Sequence, residues 1–386
     1  MHEILVLDAN ERSALAVTRS LGKLGHRVIA ADTGSASLAG ASRFATRRLA
    51  YPDPYSSPSA FIDFVVAIVD KGDADVIIPC TEVTTYLLCQ ASQQLQNVHH
   101  YLPTFPAFEE LSDKGRLFAR ASHANLTIPE TVWMEPGSDP LSDARNLGFP
   151  VVMKPYRSRI LDGNGWLTTS VKVADSEKSL TRIHQQSESF RRFPWLLQQF
   201  IPGHGAGVFS FHVPGEETRY FSHTRIRERP PGGGVSVLSE SAPVPEDMVG
   251  IATRLLDVEG WRGPAMVEFR VDRHGTAYLM EVNPRLWGSL QLAVDAGFDV
   301  PRMLLEGAVQ GRPKCTGEYE PGHRLRWLLG DLDRLYMVFR SKDHTLNEKA
   351  RDALQFLNPG WPRTRYEVNR LGDLGPFWHE LRHYLG

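Results

Sequence analysis

Two glutamates and an asparagine, Glu268, Glu281 and Asn283, stand where side-chain periodicity can gather them on one surface. They lie in two runs, residues 265–271 and 277–283, that alternate in side-chain type and meet around His274-Gly275. A two-residue turn at that dipeptide, with Gly supplying the positive φ, puts Arg273 opposite Thr276. Counting outward in this register sets Glu268 directly across from Glu281. Period two then places Asn283 on the same face. Cross-strand carboxylates roughly 4.5–5.5 Å apart at Cβ repel unless a cation lies between them. Two carboxylates and an amide oxygen are hard ligands of the kind that suit Mg²⁺ bridging phosphates. An exposed hairpin carrying two solvated glutamates fits the same pattern, so the rest of the chain has to separate the two readings.

Other residues along the chain suit an anionic ligand. Lys154 ends the apolar run 151–153, and a buried ammonium there needs a phosphate or a carboxylate as partner. Residues 157–165 are basic and carry glycine; they form either a phosphate-covering loop or a plain surface loop. The run 195–201 is an apolar strand that stops at Pro202-Gly203, as a hinge would. From His223 the sequence alternates again. His223, Arg225, Arg227 and Arg229 are predicted on one face, an anion platform or a solvated edge strand. The glycines of 230–234 would let backbone approach a ligand.

The elements that must position these residues begin with short apolar strands at 4–7, 27–31 and 76–79, alternating with helices at 13–24 and 61–69. That alternation predicts a doubly wound α/β domain. Its first turn, residues 8–13, lacks the G-x-G-x-x-G fingerprint, which argues against dinucleotide binding. Asn10 and Glu82 are expected at strand ends facing a cleft, although Glu82 also suits a helix N-terminus. Residues 103–106 look like a connection, and Ser112 or Asp113 would cap a helix running from Lys114 to about 123. Further helices are expected at 179–187, 245–258 and up to Gly297.

The chain has 386 residues, which predicts two or three domains. A formal net charge of −2 argues against a nucleic-acid or membrane-surface binder. No run approaches the ~20 apolar residues of a membrane helix, and the apolar run before Asp8 is too short for a signal peptide. Cys80, Cys89 and Cys315 have neither paired nor metal-like spacing, so reduced thiols and a cytoplasmic setting are expected. Residues 312–386 read as helical, for example 325–339, with Trp327, Trp361 and Trp378 as packing residues. This segment is expected to cover the body or to form a homodimer contact.

Taken in order, Asp113-Lys114, 152–155 with Lys154, the hinge 198–203, 267–269 with Glu268 and the run Glu281-Val282-Asn283-Pro284-Arg285 resemble the ATP-grasp superfamily. The resemblance is nearest to its carbamoyl-phosphate-synthase-like branch of carboxylate–amine ligases and covers about residues 1–311. It implies a pre-ATP-grasp α/β domain at 1–108, an ATP-grasp α+β fold at 109–311 with a mobile lid at about 124–202, and a C-terminal helical extension at 312–386. It implies ATP and Mg²⁺ as cofactors, with two ions and Mn²⁺ as an alternative. Glu268, Glu281 and Asn283 would hold metal, and Lys114 and Lys154 would contact the nucleotide phosphates. The backbone of Phe200 and Ile201 would hold the adenine edge, with Gln198 or Gln199 nearby. Arg285 would stabilise the transferred phosphoryl group, and the loop after Lys154 would cover the phosphates. Arg225 and Arg227 are the residues expected to take the carboxylate or acyl phosphate. The chain departs from the family pattern in having two Gln in the hinge pair and no Glu just after the hinge glycine. The implied reaction joins a small-molecule carboxylate to an amine through an acyl phosphate. Carboxylation through carboxyphosphate, simple phosphorylation and a non-catalytic nucleotide-binding module are the alternatives.

Overall fold

A computed structural model describes residues 1–163, 165–231, 233–314, 318–360 and 362–385. Of the positions singled out in the sequence, Gly232 of the glycine loop, Cys315 and Trp361 lie outside the described residues, as does Asn164 in the 157–165 segment.

The chain opens with four parallel strands in the spatial order Ala45–Ala50, Arg27–Asp32, Glu3–Val6, Val76–Ile78. The strands Arg27–Asp32, Glu3–Val6 and Val76–Ile78 carry continuous apolar runs because both faces of the sheet are covered. Ile4, Val6, Val28 and Val76 pack toward the helix Arg12–Lys23; Leu5, Ile29 and Ile77 pack toward the helices Pro58–Asp70 and Glu82–Gln90. The edge strand Ala45–Ala50 is largely exposed and has no apolar run, so the sequence pattern does not reveal it. Residues 103–106, expected as a connection, instead lead into the helix Phe105–Ser112, with Pro106 in its first turn and Thr104 as its cap.

A second sheet is antiparallel, in the order Thr131–Met134, Trp195–Gln199, Val151–Pro155, Lys172–Ala174. It has its own small core, in which Trp195, Leu197, Met153 and Phe190 are fully buried.

The third sheet has seven strands in the order Ala277–Asn283, Gly263–Val271, His204–His212, Arg219–Arg229, Val235–Ala242, Arg324–Arg326, Thr364–Tyr366. One face packs on the helices Lys114–His123 and Glu246–Leu256 through Leu117, Leu255, Val267 and Leu279. The other face shares one apolar core with the first sheet, where Phe209, Phe221 and Leu290 join Val17 and Leu21. The first sheet is thereby fixed against the body of the molecule. The C-terminal segment supplies more than helices, because the last two strands of this sheet belong to it. Its return is pinned by Arg19, fully buried, which donates to Asp373 Oδ2 at 2.8 Å and to the Glu367 and Val368 carbonyls at 2.6 and 2.7 Å.

Candidate active site

The acidic hairpin forms the edge of the large sheet, and its turn differs from the two-residue turn expected. Asp272 N–H donates to Thr276 O at 3.1 Å, which leaves three residues in the loop, with Gly275 at φ 85°. The Asp272 carboxylate causes this, because it accepts the N–H groups of His274 at 2.8 Å and Thr276 at 2.9 Å. Near the turn, Phe269 therefore faces Leu279, one residue off the predicted register. A bulge at Met280 shifts the pairing back, and Glu268 faces Glu281. A bulge leaves two successive side chains on nearly one side. Met280 and Glu281 accordingly both line the cleft, while Leu279 and Val282 are buried.

Glu268, Glu281 and Asn283, the expected metal ligands, meet around the Asn283 amide. Asn283 Nδ2 donates to Glu268 Oε1 at 3.2 Å and to Glu281 Oε1 at 3.0 Å. Arg285 Nη2 donates to Asn283 Oδ1 at 3.2 Å. Cations compensate the two carboxylates: Lys114 Nζ lies 3.1 Å from Glu281 Oε2, and Arg225 Nη2 lies 3.3 Å from Glu268 Oε2. Lys154 Nζ is 3.5 Å from both Met280 O and Met280 Sδ, and 5.4 Å from the centre of the Phe118 ring.

Each of these side chains is placed by a local cause. Lys114 is the first residue of its helix, which Asp113 caps by accepting Arg116 N–H at 3.1 Å. Lys114 N–H also donates to Tyr156 O at 2.8 Å. Gly115 is required beside it, since a Cβ there would fall 2.3 Å from the Tyr156 ring. Lys154 sits near the end of its strand, paired with Leu196. At the hinge, Gly203 has φ 154°, and a Cβ would meet Val271 O at 1.9 Å.

The electrostatics divide the charged groups. Burial opposes the charge of Lys114, but Glu281 outweighs it, so the Lys114 pKa is raised. Burial also opposes the charge of Lys154; Glu281 only partly offsets this, and the pKa falls to about 8. Burial and then the Glu281 charge raise Glu268. Burial would raise Glu281 as well, but Lys114 and Asn283 reverse it and the net shift is downward. One carboxylate of the pair is thus held firmly ionised by its lysine, and the other resists ionisation until more positive charge arrives.

The cleft around these groups has a volume of about 820 Å³. It brings together Lys154, Gln198, Gln199, Phe200, Ile201, Arg225, Glu268 and Glu281. Gln198 is fully buried and donates to Thr131 Oγ1 at 2.8 Å, while its Oε1 has no partner among the described residues. Ile201 O accepts Arg270 Nε at 3.2 Å. Val152, Val173 and Met280 add apolar surface beside the hinge. Glu82 bears on the site through its charge, which helps to raise Lys114.

Two expectations fail. Arg227 is absent from the cleft. Irregularities in pairing on both sides of it break the alternation of its strand, and its guanidinium lies 3.0 Å from the buried Asp331. Arg229 likewise pairs with Asp333, so the predicted basic face is split. The loop after Lys154 does not cover the cleft either. It forms a hairpin, Arg159–Asp162 with Gly165–Thr168, held on the first domain. Trp166 Nε1 donates to Pro54 O at 3.0 Å, and its ring meets Tyr86 edge-on at 5.2 Å.

Two residues at the cleft were not expected there, and His223 was expected in another role, on a basic face. Met280 enters the cleft only because of the bulge. Glu228 shares Arg225 at 3.3 Å. His223, buried and driven down to about 3 chiefly by desolvation, is neutral and lies 3.2 Å from Ser289 Oγ through Nε2.

Residues 192–330 match a family model described as ATP-grasp in the biosynthetic pathway with Ter operon. Solved structures match over a longer stretch. The L-amino acid ligase from Bacillus licheniformis has a TM-score of 0.63 at 17% identity, over 84% of this chain and 78% of that one. The chain has the ATP-grasp fold. The N5-carboxyaminoimidazole synthetase from Staphylococcus aureus, complexed with ADP, gives 0.64 at 13% identity over 89% and 86% of the two chains. The biotin carboxylase domain dimer of the Hydrogenobacter thermophilus 2-oxoglutarate carboxylase, with MgADP and bicarbonate, gives 0.65 at 16% over 84% and 73%. No curated protein matches in sequence. The acidic hairpin and Gln198 and Gln199 of the hinge strand both line the cleft, and among the described residues no helix is long and apolar enough to cross a membrane.

Proposed function

We propose that the chain is an ATP-dependent, ADP-forming ligase that joins a small-molecule carboxylate to an amine. The observation that carries this reading is the convergence of Lys114, Arg225 and Arg285 on the Glu268–Glu281–Asn283 cluster, with Lys154 beside it, at the wall of a cleft large enough for a nucleotide and an acid. On this reading, residues from about 124 to 202 form the lid and the hinge strand receives the adenine. Lys114 and Lys154 bind the phosphates.

The donor set fits Mg²⁺. Glu268, Glu281 and the Asn283 amide oxygen would hold it, after the amide turns its oxygen toward the carboxylates. Among the described residues no group of three His, Cys, Asp or Glu could enclose a metal. Its remaining ligands would therefore be phosphate oxygens and water. When bound, it supplies charge neutralisation at the phosphates; two ions, or Mn²⁺ in place of Mg²⁺, suit the same donors. Arg225 and Arg285 orient the acid and neutralise the phosphoryl oxygens. A carboxylate oxygen of the substrate attacks the γ-phosphorus; the new O–P bond forms as the β–γ bridge breaks and ADP leaves. The amine nitrogen then attacks the acyl carbon and expels phosphate, losing a proton. Positioning and charge do most of this work, and no protein nucleophile is needed.

A cytoplasmic setting fits the buried free thiols Cys80 and Cys89. A homodimer is part of the same proposal. The deciding experiment is ADP release across a matrix of carboxylates and amines, followed by product mass. Amine-dependent ADP release with formation of an amide is the expected result. Release that depends on bicarbonate would replace ligation by carboxylation, and ATP binding without turnover on any pair would sink the enzyme reading.

A further inference from the structure

Arg227, displaced from the cleft, belongs to a second basic site. It lines a separate cavity of about 230 Å³ together with Arg324, Arg326, Gln355, Asn358 and Thr364; among the described residues no Asp or Glu lines it. Behind the cavity, the fully buried Asp331 is approached by three guanidinium groups: Arg326 at 2.8 Å, Arg227 at 3.0 Å and Arg334 at 3.3 Å. Arg334 is shared with Asp352 at 2.7 Å. Three cations against two carboxylates leave one positive charge uncompensated. Arg326 is committed, since it also donates to Phe356 O at 2.7 Å. Arg227 is the uncommitted member. Its side chain is only 9% exposed, yet among the described residues it donates no side-chain hydrogen bond: Nη1 is buried 3.0 Å from Asp331 Oδ2. Its contact with Asp331 is an ion pair without hydrogen-bond alignment.

A buried guanidinium with idle donors beside a cavity free of acidic groups calls for an acceptor. We propose that this cavity is an anion site, distinct from the nucleotide cleft, that takes a small phosphate or carboxylate group against Arg227, with Arg324 at its mouth. Arginine forks match either group. The volume accommodates one such group and a few waters, at about 30 Å³ per water, and excludes a nucleotide. Arg324, half exposed at the rim, is paired with Glu240 and would have to share its guanidinium with an incoming charge. Burial, against Asp331 and with Arg326 and Arg334 nearby, pulls Arg227 down to about 10, and an anion would relieve that cost. The proposal does not depend on the ligase reading. Arg225 at the cleft and Arg227 at the cavity sit two residues apart on one strand, with separate acidic partners.

The test is calorimetric titration of the full-length chain with inorganic phosphate and, separately, acetate, at constant ionic strength and with MgADP saturating the cleft. One saturable site is expected for at least one anion; phosphate alone would indicate a phosphate-bearing ligand, and acetate a carboxylate. Arg227→Met should weaken it about ten- to hundredfold, the worth of a charge-assisted hydrogen bond or two. Arg324→Met, at the more exposed position, should weaken it severalfold and keeps the test alive if Arg227→Met fails to fold. Lys154→Met should leave it unchanged. Absence of saturable binding for both anions, wild-type binding by both arginine variants, or loss on Lys154→Met alone would overturn the proposal.

Discussion

Lys154→Met should stabilise the ligand-free protein and cripple it as an enzyme. Lys154 is buried, makes only long contacts to Met280, and has its pKa lowered from 10.5 to about 8. In a group depressed in this way, charge is a cost to the fold. Below pH 8 both folded and unfolded chains carry the proton, and the full penalty is present. Between about pH 8 and 10.5 the folded chain releases the proton while the unfolded chain keeps it, so stability rises with pH. The gap corresponds to roughly 3 kcal/mol. Urea unfolding at pH 7 should therefore show the methionine variant more stable than wild type by up to about 3 kcal/mol, and the advantage should shrink by pH 10. Bound ATP phosphates would supply the missing partner, so MgATP should stabilise wild type more than the variant. Lys114 predicts the reverse. Its pKa is raised by the ion pair with Glu281, so its charge supports the fold at neutral pH and Lys114→Met leaves a buried carboxylate alone. If both methionine variants destabilise equally at pH 7, the electrostatic account of this site is wrong.

Further outcomes follow from the same geometry. Glu281→Gln removes the carboxylate that Lys114 and Asn283 share and should lower ADP release by at least about a hundredfold, read by a coupled ADP assay. Arg225→Met leaves Glu268, already resistant to ionisation, without its guanidinium; kcat/KM for the acid should fall about ten- to a hundredfold in steady-state kinetics, and Arg225→Lys should restore only part. Asp8, at φ 58°, is raised by burial to about 6 while accepting Cys80 N–H, Thr81 N–H and Thr84 Oγ1. Its folded-state pKa lies above its ordinary value, so stability should fall as pH rises from 4 to 6. Asp8→Asn, which tolerates that φ, should flatten this part of the denaturation profile.

What could be read in advance follows from which forces are local. The strands Glu3–Val6 and Arg27–Asp32 were legible because burial on both faces demands unbroken apolar runs. The cap and lysine at Asp113-Lys114 were legible because capping acts over three residues. The edge strand Ala45–Ala50 was not, since an exposed edge needs no apolar pattern. The place of the 159–168 hairpin depends on Pro54 and Tyr86, distant in sequence, and nothing in its own residues encodes them. Arg227 was assigned to the wrong surface because alternation holds only while pairing is regular, and here it shifts on both sides of that residue.

The acidic hairpin shows why a correct contact can follow from an incorrect turn. A two-residue turn and a three-residue turn differ by one in register, and one residue moves every side chain to the opposite face. Had the Asp272 turn stood alone, Glu281 would point into the core with Leu279, and a buried, unpaired carboxylate would result. The bulge at Met280 cancels the offset where the chemistry begins. The core side chains Ala277 and Leu279 obey one register, Glu281 and Asn283 the other, and both sets are satisfied. The bulge has a second consequence. It turns the Met280 carbonyl and sulfur toward Lys154, the only acceptors within 3.5 Å of that ammonium among the described residues. Deleting Met280 should therefore cost more than one side chain. It forces a choice between the core register and the carboxylate register, so the deletion variant either unfolds at lower urea or folds with Glu281 withdrawn from Lys114. A deletion variant with wild-type stability and wild-type ADP release would show that the bulge is incidental.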